Sequence, residues 1–64
     1  MSEDLLTYLS KKIREEQRLI EEDLVMGKAS DHGAYQHACG VYRGLLIANN
    51  MLLETKERME NSDD

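Results

Sequence analysis

Residues 24–35 read LVMGKASDHGAY, and that stretch decides the fold. Leu24 and Met26 close an apolar pattern laid down at helical spacing. Gly27 follows where a helix ends on a left-handed residue, and Lys28 suits the negative end of that helix. Ala29 leads to Ser30 and Asp31, either of which can cap a second helix. A connection of about three to five residues normally joins antiparallel neighbours. The chain is therefore expected to be all-α, a two-helix antiparallel hairpin. Its first helix should run over about 2–26, its turn over 27–31, its second helix over about 32–59, and a polar tail over 60–64.

Upstream of the turn, Ser2 is a good N-cap, with Glu3 and Asp4 placed in the first turn to suit the helix dipole. Leu5, Leu6, Leu9, Ile13, Ile20 and Leu24 fall on one stripe. Leu6, Ile13 and Ile20 keep coiled-coil spacing. The stripe breaks at Glu16 and Gln17, so its middle is wetter or faces something polar. Lys11–Glu15, Lys12–Glu16 and Arg18–Glu22 stand at helical pair spacing. Downstream, the expected core stripe is Ala34, Tyr35, Ala38, Val41, Tyr42, Leu45, Leu52, Leu53 and Met59. Asn49 falls near its centre, where a buried amide can fix register or oligomer state. Glu54–Arg58 is a favourably oriented pair near the end.

Composition narrows the classes. At 64 residues the chain holds one domain at most, and chains of this size often need a staple or a partner. Cys39 is the single cysteine, so no disulfide closes within the chain. The net charge of −5 argues against nucleic acid as a direct partner, because phosphate contacts need clustered Lys and Arg. The basic knot Lys11, Lys12 and Arg14 runs straight into Glu15 and Glu16 and reads as a solvated face. No run approaches the ~20 apolar residues that span a bilayer, so no membrane partner is expected. The start, MSEDLL, is acidic and lacks the basic region of a secretory signal, which points to the cytosol.

Charge is spread unevenly. Residues 1–26 hold seven acids and four bases, 27–53 one acid and two bases, and 54–64 five acids and two bases. The nearly uncharged middle third includes CGVYRGLLIANN, residues 39–50. Leu46, Ile47 and Met51 lie off the face that Tyr42, Leu45 and Leu52 define, and a helix apolar on more than one side is buried on more than one side. Gly40, Gly44 and Ala48 make a ridge of small residues, although each glycine costs a helix interior ~1 kcal/mol against alanine. Close approach of another backbone would compensate, by analogy with small-xxx-small helix pairs. The competing explanations are a relaxed bend, or room for Tyr8 or Tyr42 inside the hairpin. The expected interface is Tyr35, Gly40, Arg43, Gly44, Ile47, Ala48 and Met51, used in a homo-oligomer or against another protein.

No catalytic, cofactor or metal constellation is expected. His37 and Cys39 are two apart and point ~200° away from each other on a helix, and His32 and His37 are five apart, also poor ligand geometry. Ser30, Asp31 and His32 share the residue types of a hydrolase triad without its geometry. Cys39 has no base placed beside it by spacing and reads as a small buried hydrophobe. Tyr35 and Tyr42 are seven apart and read as core, with exposed aromatic anchors as the alternative.

The pattern D-H-G-A-Y-x-x-A-C-G-V-Y-R-G-L-L-x-A, residues Asp31 to Ala48, resembles a group of short proteins encoded by tailed bacteriophages. The distinctive part is Tyr35, Cys39, Gly40, Arg43, Gly44 and Leu45. The likeness covers most of the chain, which shares the acidic first helix, the glycine turn and the charged tail. It implies a phage source, the host cytoplasm during infection or the virion as location, and a larger phage structural protein as partner; it implies no mechanism. Beside that setting, Arg43 next to the glycine ridge could donate in a fork to a carboxylate of a neighbouring chain. Two functional expectations follow: a non-enzymatic assembly protein docking on a phage particle through the second helix, or a small acidic regulator that binds and inhibits a host protein. A DNA-binding helix-turn-helix ranks last, for want of a third helix and a basic recognition face.

Overall fold

A computed structural model describes residues 4–61, which form two helices, α1 (Leu5–Val25) and α2 (His32–Asn61), packed side by side as an antiparallel hairpin. The molecule is a slab of 52 × 23 × 12 Å. The second helix is longer by nine residues, 30 against 21.

Local chemistry sets each boundary. The cap of α1 is Asp4, whose carboxylate accepts the Thr7 N–H at 2.8 Å. This bond is the chief reason the Asp4 carboxyl lies below its ordinary range. The expected cap, Ser2, lies outside the described residues, and Asp4 stands before the first helical turn rather than within it. At the far end the Gly27 N–H donates to the Leu24 carbonyl at 3.1 Å and the Lys28 N–H to the Asp23 carbonyl at 2.9 Å. That double bond pattern, with Gly27 at φ +72°, is a Schellman closure that only glycine enters without strain. Lys28 also reaches the Asp23 carboxylate at 3.5 Å. Asp31 rather than Ser30 caps α2, accepting the Ala34 N–H at 2.8 Å. The second helix continues through Asn61, two residues past the expected end; the rest of the expected polar tail, 62–64, lies outside the described residues.

The residues that α1 and α2 turn toward each other form two matching series. On α1 they are Leu6, Ser10, Ile13, Gln17, Ile20 and Leu24; on α2 they are Ala38, Tyr42, Leu45, Asn49, Leu52 and Lys56. All twelve are buried or half-buried, and both series step alternately by four and three. That is the spacing an antiparallel coiled-coil seam uses, narrower than the stripe expected for a core-facing helix. Leu5, Leu9, Ala34, Tyr35, Val41, Leu53 and Met59, all expected in the core, are exposed. One neighbouring helix covers only the seam positions and leaves the flanks to solvent.

Candidate association surface

The deepest positions of the hairpin are polar. Among the described residues no apolar side chain is fully buried, whereas Ser10, Gln17 and Asn49 are 9%, 7% and 5% exposed. The Ser10 hydroxyl donates to the Asn49 Oδ1 at 2.6 Å, tying the two helices together across the seam. The break noted at Gln17 is thus a polar position inside the hairpin, and Asn49 is buried as expected. No buried side-chain polar atom among the described residues lacks a partner. A second tie lies toward the turn, where the Tyr42 hydroxyl donates to Glu21 at 2.5 Å. This bond to the carboxylate is the main reason the Tyr42 phenol titrates above its ordinary 10.0.

Apolar surface lies outside. Among the described residues thirteen large apolar ones are exposed, and seven of them are on α2: Tyr35, Val41, Leu46, Ile47, Met51, Leu53 and Met59. At 100° per residue the α2 seam centres on Lys56 and Ala38, and the opposite meridian carries Ile47, Gly40 and Met51. Gly44 and Ala48 lie on one shoulder of that meridian and Arg43 on the other. A Cβ built at Gly40 or Gly44 meets no atom within 4 Å, so both glycines face open space. They make no room for Tyr8 or Tyr42 inside the hairpin. Of the residues expected at an interface, Tyr35, Gly40, Arg43, Gly44, Ile47 and Met51 are exposed, and Ala48 is half-buried beside the seam.

Arg43, Glu54 and Arg58 are the charged residues on the outward side of α2, and the ion pairs lie to its flanks. Arg18 sits between Glu15 at 2.9 Å and Glu22 at 3.7 Å, which holds the Glu15 carboxyl down and the guanidinium up. Lys12 lies over the Tyr8 ring at 5.8 Å in place of the expected pair with Glu16. Near the end of α2 the pair is Lys56–Glu60 at 3.7 Å, not Glu54–Arg58. Neither Arg43 nor Glu54 has an ion pair or hydrogen bond among the described residues.

Depressions lie at both ends of the hairpin. A cleft of about 550 Å³ at the open end of the hairpin is lined by Asp4, Leu5, Leu6, Thr55, Lys56, Met59 and Glu60. A smaller one is lined by Glu21, Leu24, Cys39 and Tyr42. Cys39 is half-buried and lies against Tyr35, and that contact is the leading reason the Tyr35 phenol is raised. His32 and His37 are both exposed, and among the described residues no group of three or more His, Cys, Asp or Glu is placed to hold a metal ion. No described helix is long and apolar enough to cross a membrane.

No protein-family model, curated protein or solved structure matches the chain.

Proposed function

We propose that this chain is a non-enzymatic assembly protein, a hairpin that self-associates through the outward face of α2 and docks on a larger particle. One observation carries the reading: among the described residues no apolar side chain is fully buried, yet Ile47, Met51 and the bare backbone of Gly40 and Gly44 stand exposed on one face. A chain of this size gains the missing burial by adding a second copy. The likeness of residues 31–48 to short tailed-phage proteins supports a phage particle as the larger assembly.

Light scattering on a sizing column, with circular dichroism on the same sample, tests the first half. A helical oligomer is expected, and a monomer at every concentration would overturn self-association. Gly44→Leu should remove the oligomer while leaving helicity, because the hairpin itself has space for the side chain. Many copies bound to a purified particle would support docking.

A second reading, an acidic regulator that blocks a host protein, is favoured by Glu15, Glu16, Glu21, Glu22 and Asp23, all exposed along α1. It requires salt-sensitive binding and absence from the particle. Free replacement of those acids without loss of binding would count against it.

A further inference from the structure

We propose that the partner of α2 is α2 of a second copy, packed antiparallel so that Arg43 of each chain faces Glu54 of the partner subunit; the inference rests on the self-association reading above. The argument begins with charge. On the outward meridian of α2 between residues 36 and 58, the charged side chains are Arg43, Glu54 and Arg58. Arg43 and Glu54 are exposed, unpaired within the described residues, and eleven positions apart, which is about 16 Å along the helix. They project within 20° of each other, so both look out of the same side.

A parallel pairing would set Arg43 beside its own copy and Glu54 beside its own copy, two like-charge contacts across a narrow contact. An antiparallel pairing turns both into attractions. Its register also brings Ile47 to within one residue, about 1.5 Å, of the level of Met51 of the partner subunit, once on each side of the two-fold axis. Arg58 then falls opposite Gly40, in a stretch with no charge. The absence of side chains at Gly40 and Gly44 lets the backbones approach, so that the Arg43 fork can reach a carboxylate on the facing helix. The exposed ion pairs select direction and register, and the apolar contact between them supplies the attraction.

Charge exchange and cross-linking test this together, with circular dichroism to show that every variant keeps its helices. Arg43→Glu and Glu54→Arg should each raise the dimer dissociation constant about tenfold, and the double exchange in one chain should restore it. In a Cys39→Ser background, mixing Ile47→Cys with Met51→Cys chains should give mostly mixed disulfide dimers. A wild-type chain that stays monomeric would defeat the self-association reading itself. A dimer that ignores the single charge exchanges, or cross-links mainly between identical chains, would leave that reading standing and overturn the antiparallel pairing alone.

Discussion

Gly27 and Asn49 each hold a position that few other residues could fill. At φ +72° the backbone of Gly27 sits where a Cβ crowds the chain, with open space around it. Gly27→Ala should therefore lower stability by about 1 kcal/mol through backbone strain alone, read as a shift in the urea midpoint at unchanged slope. Asn49 is different, since its cost is shared with Ser10. Asn49→Leu leaves the Ser10 hydroxyl in the seam without its acceptor and should cost about 1–3 kcal/mol. The double change Ser10→Ala with Asn49→Leu should recover most of that loss, while freeing the hairpin to adopt other oligomers, as coiled coils do when a buried amide is removed. Chemical denaturation with light scattering on both variants would measure the two effects separately. Tyr42 adds a pH dependence. Its phenol is raised above 10.0 by the bond to Glu21, so that bond is in place below the ordinary value and is lost as pH rises through the folded one. Alkaline titration followed by circular dichroism should show the wild type losing helix in a step that Tyr42→Phe lacks.

Each helix of the hairpin divides into a seam and an outer surface, and that division was only partly legible. The glycine turn was plain in the sequence, because Met26-Gly27-Lys28 combines a helix end with a residue suited to it. The buried amide was plain too, since Asn49 interrupts an otherwise apolar stripe. The width of the seam was not, because apolar periodicity counts residues and says nothing of how many helices cover them. Val41, Leu53 and Met59 lie close enough in projection to share a stripe with Leu45 and Leu52, yet one neighbouring helix leaves them wet. Ser10 was missed because a serine carries no apolar signal. Continuing the four-three alternation from Leu6 to Ile13 and on to Ile20 would have placed both Ser10 and Gln17 inside. The start of α1 was misjudged because two good caps, Ser2 and Asp4, stand two residues apart. Outside the seam, Gly40→Ala and Gly44→Ala have room and should each stabilise the isolated hairpin by about 1 kcal/mol. If α2 pairs closely with another helix, the same changes should weaken that pairing. Measuring the thermal midpoint at low and at high protein concentration would expose both effects in one series.

At the scale of the whole molecule, the hairpin is a thin slab whose seam is apolar but for a few polar positions at its deepest points, with further apolar residues on its outside. On the assembly reading proposed above, such an object serves as one layer in something thicker. Stability should accordingly rise with protein concentration, a dependence that a self-sufficient monomer lacks. The candidate surface was legible in outline: the uncharged middle third and the glycine spacing pointed to it. That its glycines face outward needed the fold, because only the position of α1 tells the two sides of α2 apart.

Residues 4 and 61 both lie at the open end, beside the cleft between Leu5 and Met59, and the Schellman turn lies at the other. A pull applied between residues 4 and 61 would meet the seam one layer at a time, as a zipper opens, rather than shearing all layers together. The Ser10–Asn49 bond would be met before the Tyr42–Glu21 bond, and the turn at Gly27 would open last. The hairpin is therefore mechanically soft along the line joining its ends, and a tether at that end would transmit little load before the helices part.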